Sequence, residues 1–533
     1  VVRAFNSDKP YDRFLHEQLA GDELEDYEHA PQITEDIYDN LVATGFLRTA
    51  PDRTFANITN FVPDRLEVIA DEMQILGSAV LGLTLHCARC HTHKFDPIPQ
   101  RDYYRLAASL KDALDEHDWL GPEVRQLNFV TTKERLAWES HEREITNQVT
   151  PLKMQVETEK DEAAKKTLHE RIKQLESGRR PEPKIRALWS RGDPSPTYLL
   201  QRGNYLTAGA EVGPGVLSVL TDGKTPHIVN RPREEAKTTG RRLALARWLT
   251  APDHPLTARV IVNRVWKHHF GTGLVTTLAN FGKTGAPPTH PELLDWLASE
   301  LIHRGWSIKD LHRLMVCSAT YRQSSLQTSP AVDVDPENRL LSRMPLRRLE
   351  GEIVRDSLLA VSGKLDDTPF GPPVDVDVRG DGLVTVKRPD GGGRRSIYVL
   401  HRRTKLPTIL ESFDSPQMGP NCVERGESIV APQALHLLNN ANVHALATQF
   451  AERVRREVGD DIDAQVERIH RLAFGIPPSQ AIREQAKEDL VRLTQQWLTT
   501  LGNGPEAPKV AADRALQNYC HAIVNTAEFV YVD

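Results

Sequence analysis

Cys87-Ala88-Arg89-Cys90-His91 is the run in this chain whose residue types and spacing are suited to chemistry. Two thiols three positions apart share one helical turn, where they can reach the two vinyl groups of a porphyrin and form thioethers. His91 follows directly, with its imidazole aimed at the iron from one side of the ring. The spacing predicts covalent c-type haem, attached through Cys87 and Cys90, with His91 as the proximal iron ligand. Two other chemistries use the same residues. A Cys-x-x-Cys pair is half of a zinc site, to which His91 or His93 would add a further ligand. It is also the spacing of a redox dithiol, although no strand-helix pattern of a thioredoxin-like fold flanks it.

A low-spin electron carrier needs a sixth iron ligand, usually Met or His. Met73 precedes the motif and falls on the apolar face of a helix, so it reads as core. Met154 lies in a charged stretch, and Met418 and His436 lie far along the chain. An open or weakly ligated iron is therefore the expectation. His93 follows His91 at i+2, and on a helix the two imidazoles diverge by ~200°. His93 is expected as a satisfied surface side chain. His86 reads as exposed or packed against haem propionates.

Further candidates lie downstream. Lys267-His268-His269, His290 and Asp295 are acid-base or metal-binding types, with a structural role the first reading. Arg402, Arg403 and Lys405, with Glu411 and Asp414, either bind an anionic sugar or pair with one another. Asp375, Asp377 and Asp381 offer carboxylates to Ca²⁺ but lack EF-hand spacing.

The elements that must position these groups are mostly helical. After Pro63, apolar residues recur at Leu66, Ile69, Met73, Leu76 and Val80, one face of a helix leading into the motif. Gly77 and Gly82 allow close approach of a backbone or a flat ring. Asp96-Pro97-Ile98-Pro99 predicts a rigid loop, and a helix restarts at Asp102. Residues 133–180 are dominated by Glu, Lys, Arg and Gln. Their apolar positions at Trp138, Ile145, Val149, Leu168, Ile172 and Leu175 predict a helical hairpin or short coiled coil split at Pro151. Residues 181–234 are rich in Pro, Gly and Thr, with short strands expected at 197–200 and 216–220. A second helical domain is expected from Gly240, interrupted by Gly- and Pro-rich loops with strand pieces over 366–400, and helical again from Pro432.

Size and composition bound the rest. A chain of 533 residues predicts two or three domains. Hydrophobic content of 39% with 26% charged residues describes a soluble globular protein. No apolar run approaches the ~20 residues of a membrane span. A net charge of −6 without a basic, aromatic-interleaved stripe argues against nucleic-acid binding. Cys317, Cys422 and Cys520 are odd in number and scattered, so they form no disulfide framework and are expected as buried small apolar side chains. Haem attachment takes place outside the bacterial cytoplasm, so a periplasmic or otherwise exported location is expected. The opening Val1–Asn6 reads as mid-helix and leads us to expect an N-terminally incomplete first domain.

The text around the motif, from Leu81 to Ile98, resembles the planctomycete-type cytochrome-c-like domain. The later half resembles the planctomycete-specific domain that follows it. The residues that carry this second likeness are Asn263-Arg264-Val265-Trp266, Asn280-Phe281-Gly282, His290–Leu297, Ser318–Ser324 and Pro432–Leu435. The resemblance implies an exported protein loosely linked to extracellular carbohydrate or redox metabolism. The expected organisation is a haem domain at 1–125, a charged hairpin insertion and linker at 126–200, a small β segment at 201–239 and a helical domain at 240–533. The leading expectation is a mainly α, multi-domain c-type haem protein. It would serve electron transfer or an oxidative step on extracellular saccharide, with a redox partner or a carbohydrate as its partner. The alternative is a non-redox binding or scaffold protein with a structural metal at the cysteine pair.

Overall fold

In the computed structural model the described residues are 1–533 apart from 234–236, 328–332, 388–391, 403, 417, 418, 420, 421, 503 and 533. The architecture is mainly α, with strands only in small antiparallel pairs among the described residues. The chain forms two compact units, Val1–Cys317 and Ser318–Asp533.

The first unit opens with α1 (Val2–Asn6), α2 (Tyr11–Leu24), α3 (Glu35–Ala43), α4 (Val62–Leu76) and α5 (Gln100–Leu110). Helix α4 follows the predicted period. Asp64 accepts the Phe61 N–H at 3.1 Å and places a negative charge at the N-terminal end of the helix. Its buried face carries Ile69, Met73 and Leu76. A single π turn, Gly77–Leu81, follows and stops at Gly82, which takes φ +61°. A side chain at Gly77 would meet Leu85 at 2.7 Å, so glycine there lets the returning chain close over the helix end.

Helices α6 (Thr132–Thr158) and α7 (Glu162–Glu176) form the charged hairpin, packed through their own small core of Ile145, Val149 and Ile172. Pro151 does not split it: α6 runs straight through and the chain turns only after Thr158. The proline is on the exposed face, so the carbonyl that lacks its N–H partner points to solvent rather than into the core. The strands β1 (Gln126–Leu127) and β2 (Ile185–Arg186) pair antiparallel at the foot of the hairpin. β3 (Thr197–Leu200) and β4 (Ala208–Val212) form the next pair. The strand expected at 216–220 is absent. Val216 and Leu217 are buried, and a 3-10 turn follows at Ser218–Leu220 because buried Asp102 takes both the amide and the hydroxyl of Ser218, at 2.7 and 2.5 Å.

Helices α8 (Arg241–Leu249), α9 (Thr257–Phe270), α10 (Pro291–His303) and α11 (Ile308–Val316) complete this unit. Helix α8 packs in the core of this unit. Its Leu245, Ala246 and Leu249 join Leu19, Met73, Leu76, Leu81, Leu85, Ala88 and Leu106 in one cluster. Arg242 is fully buried with it, paired to Asp22, Glu23 and Asp112.

The second unit contains α12 (Gly351–Val361), α13 (Thr408–Ser412), α14 (Ala431–Asn439), α15 (Ala441–Val458), α16 (Ile462–Phe474), α17 (Gln480–Leu501), α18 (Ala507–Val524) and α19 (Ala527–Val530). Its core gathers Val354, Leu358, Phe450, Val454, Ile469, Leu516 and Cys520. β5 (Arg347–Arg348) pairs with β8 (Tyr531–Val532), and β6 (Val376–Val378) with β7 (Val384–Val386). The strand piece expected at 396–400 begins instead as a 3-10 turn, Ser396–Tyr398, because Asp356 holds the amide and hydroxyl of Ser396.

Candidate functional site: the Cys-x-x-Cys-His turn

The motif folds as one tight turn. A 3-10 segment covers His86–Arg89, and the amides of Cys90 and His91 both donate to the Cys87 carbonyl, at 3.3 and 3.4 Å. The turn has an inside and an outside. Ala88 is fully buried in the first unit's core, while Cys87, Cys90 and His91 are exposed. Both cysteines are free thiols. The three chemistry-bearing side chains therefore share the outer side of one turn whose apolar member anchors it.

The backbone between the cysteines is clamped. The Arg89 carbonyl accepts from Gln100 Nε2 and from the Tyr104 hydroxyl, each at 2.9 Å, so α5 holds the turn from beneath. Arg89 itself donates to Glu67 on α4 at 2.7 Å, and this hydrogen bond keeps the Glu67 carboxyl below its usual range. Gly203, at φ +71°, lies so close that a side chain there would meet Cys90 Sγ at 2.9 Å. Burial pushes the Tyr104 phenol up to about 12, so it stays a neutral donor.

His91 has its tautomer set by its neighbour. Nδ1 lies 2.7 Å from the Thr92 carbonyl oxygen. A carbonyl only accepts, so Nδ1 carries the proton and Nε2 keeps its lone pair. Metal-ligating histidines are oriented in this way, one ring N–H spent on a backbone carbonyl.

His93 is not a surface residue. It is buried, and its Nδ1 accepts the amides of Asp96 at 2.9 Å and Phe95 at 3.3 Å. Nε2 lies 3.3 Å from Thr84 Oγ1. The Pro-bounded loop turns back on itself, with His93 N–H donating to Ile98 O at 2.9 Å, and the imidazole closes it from within. His86 is exposed.

The second-likeness motif Asn280-Phe281-Gly282 packs directly on this segment. Phe281 N–H donates to Gly82 O at 2.7 Å, and Lys283 N–H to Asp96 Oδ1 at 2.7 Å. A side chain at Gly282 would overlap the Asp96 carboxylate. Asn263, fully buried, bonds both the amide and the carbonyl of Val275 at 2.8 Å and so fixes the chain leading to that loop. The sequence held one signal for this docking: two glycines, Gly82 and Gly282, in otherwise dissimilar motifs.

The other candidates scatter. Met73 is wholly buried and Met154 is exposed on the hairpin, while Met418 and Arg403 lie outside the described residues. Asp295 pairs with Arg259 at 2.7 Å, and His290 Nδ1 lies 3.0 Å from Thr289 Oγ1. His269 Nε2 meets His312 Nδ1 at 2.7 Å, a pairing that a separation of 43 positions hid from the sequence. Asp414 is tied to Arg348 and Ser428 rather than to Arg402 or Lys405. Asp381 pairs with Arg379. Among the described residues no three His, Cys, Asp or Glu side chains converge on a metal position. Cys317 and Cys422 are exposed, against expectation; only Cys520 sits in a core, and burial raises its thiol.

With this geometry in view, the comparisons place the chain. Residues 1–115 match the family model PSCyt2, a protein of unknown function (DUF1549). Residues 241–490 match PSD1, a protein of unknown function (DUF1553). Two family models of unknown function thus match separate stretches of the one chain. No curated protein and no solved structure matches it. No helix among the described residues is long and apolar enough to cross a membrane.

Proposed function

We propose that this is an exported c-type haem protein, with haem joined through thioethers to Cys87 and Cys90 and His91 Nε2 as the proximal ligand. The observation that carries the reading is the His91 hydrogen bond to Thr92 O, which in the neutral ring leaves the lone pair on Nε2, in a segment where His91 and the two free thiols of Cys87 and Cys90 are all exposed. Haem bound there supplies one-electron chemistry, in electron transfer or in an oxidative step linked to extracellular saccharide. The protein's own part is to hold the turn rigid through Ala88, Gln100 and Tyr104 and to fix the imidazole.

A structural metal at the same turn is the rival. Tetrahedral zinc takes four ligands; His93, one further imidazole near the motif, already spends Nδ1 on backbone amides, and among the described residues no three His, Cys, Asp or Glu side chains converge on a metal position. Attachment of haem asks only for the three residues that are exposed together.

The test is production of the chain in a host with periplasmic haem-attachment machinery. A haem mass increment and haem-peroxidase staining of the denatured band are expected. In His91→Ala the thioethers should still form while the visible spectrum changes. A mass without the increment overturns attachment, and an unchanged His91→Ala spectrum overturns the proximal assignment.

A further inference from the structure

A cleft in the second unit has no role in the reading above. It lies where α14 turns into α15, against the β6–β7 hairpin. Its outer part holds about 440 Å³ and is lined by Arg379, Thr385, His436, Asn439, Asn440 and Asn442. A narrower inner part of about 80 Å³ shares Thr385, His436, Asn440 and Asn442 and ends on apolar Leu358, Val443 and Leu446. The outer volume is in the range of roughly 300–1,000 Å³ typical of small-molecule sites.

The polar lining has a consistent chemistry. Three side-chain amides, a hydroxyl and an imidazole each donate and accept hydrogen bonds. Burial alone lowers the His436 pKa, so the ring is neutral near pH 7 and both donates and accepts. Among the described residues its ring makes no hydrogen bond, ion pair or ring contact, and the Asn439 amide has no protein partner. Among the described lining residues the formal charges are already spent: Arg379 at the mouth on Asp381 at 2.7 Å, and Arg355 in the inner part on the Arg394 and Gly392 carbonyls at 2.8 and 3.0 Å. A site built for an anion would present unpaired cations, and a site for a cation would present carboxylates. This one presents groups that match hydroxyls, which also donate and accept.

We propose that this cleft binds a neutral, hydroxyl-rich ligand, a sugar or the end of a saccharide chain, through His436 and Asn439. The inference deepens the saccharide part of the proposed role, and it stands apart from haem attachment because no residue of the Cys-x-x-Cys-His turn takes part.

Isothermal titration calorimetry of the full chain tests it, using neutral hexoses, pentoses and their disaccharides, with glucuronate and inorganic sulfate as anionic counterparts. Saturable binding of at least one neutral sugar is expected. His436→Ala and Asn439→Ala should each weaken it about tenfold, and His436→Gln, which keeps a donor and an acceptor, should weaken it less. Asn439 is exposed, so Asn439→Ala keeps the test valid even if the histidine change disturbs folding. Absence of neutral-sugar binding, binding of the anions alone, or binding untouched by either alanine overturns the proposal. The readout is heat of binding, so a failure here is distinct from a failure of the haem reading.

Discussion

Arg242 is the residue whose removal should do the most damage for the least change in shape. It is wholly buried and forms a bidentate pair with Asp22, at 2.7 and 2.8 Å. Its Nε donates to Asp112 at 2.8 Å, and Nη2 lies 3.2 Å from Glu23. Three carboxyls around one cation would leave a buried net charge of −2, but burial pushes Glu23 up to about 8, so it is protonated near pH 7. Two ion pairs, not three, are therefore what Arg242→Leu breaks. Removing one partner of a buried pair costs about 3–5 kcal/mol. Asp22 and Asp112 keep hydrogen bonds from Ser190 and Thr239, which soften the second loss, so about 5 kcal/mol is expected for the variant. That is a large share of the roughly 5–15 kcal/mol by which a domain is stable. Every tryptophan except Trp497 lies in the first unit, so tryptophan fluorescence during urea unfolding reports that unit almost alone. Arg242→Lys keeps the charge and loses the fork, and should fall between. An Arg242→Leu midpoint equivalent to less than about 1 kcal/mol of loss would refute the reasoning, as would Lys and Leu variants of equal stability.

Four further outcomes follow from the same geometry. Glu23 is raised from an unfolded value of about 4.3, so between pH 5 and 8 the folded state holds a proton the unfolded state has lost and stability falls as pH rises; Glu23→Gln should flatten that fall in melting temperature, and an unchanged slope would assign it elsewhere. Gly82→Ala combines φ +61° with a Cβ 2.8 Å from Phe281 and 2.9 Å from Val260; it should cost about 1–3 kcal/mol by chemical denaturation, and a neutral result would show that the loops are not tightly docked. Replacing 132–176 by a short Gly/Ser linker should leave first-unit stability within about 0.5 kcal/mol, because the hairpin packs on its own core and its foot is closed by β1–β2; insolubility would contradict this. A fragment ending at residue 317 should unfold cooperatively, whereas one ending at 239 should show no cooperative transition by calorimetry, because it strips Arg242 from Asp22 and Asp112 and Leu245 and Leu249 from the core.

Periodicity made the main helices readable. The spacing from Leu66 to Leu76 announced α4, because one-sided burial writes a repeat into the chain; the run from Arg242 to Leu249, apolar nearly all round, also forms a helix, α8. Pro151 misled because its cost depends on which face it occupies, and on the solvent face the helix absorbs it. The expected strands at 216–220 and 396–400 failed for a shared reason. In each, one carboxylate, Asp102 or Asp356, captures a serine amide and hydroxyl and curls the backbone before it can pair. His93 was misplaced because its partners are amides of its own loop, and no side-chain pattern records them. The Cys87, Cys90 and His91 constellation was legible because its residues are adjacent. The His436 cleft was not, since its walls come from a hairpin and a helix junction some 50 residues apart in sequence.

The two family-matched stretches also carry a physical lesson about the turn. Sequence motifs divide the chain near residue 240, yet the Cys-x-x-Cys-His segment is held by residues from both sides of that point. Ala88 is seated among Met73, Leu85 and Leu245. The Arg89 carbonyl is gripped by α5, and the loop after His91 is pinned by Lys283 N–H on Asp96 while Gly82 receives Phe281 N–H. A bound group tunes well only when its supporting shell cannot shift, since a ligand misplaced by about 1 Å is a poor ligand. The later stretch is thus not merely appended to the motif-bearing one. Through Leu245, Phe281 and Lys283 it supplies the back wall behind the turn that exposes Cys87, Cys90 and His91.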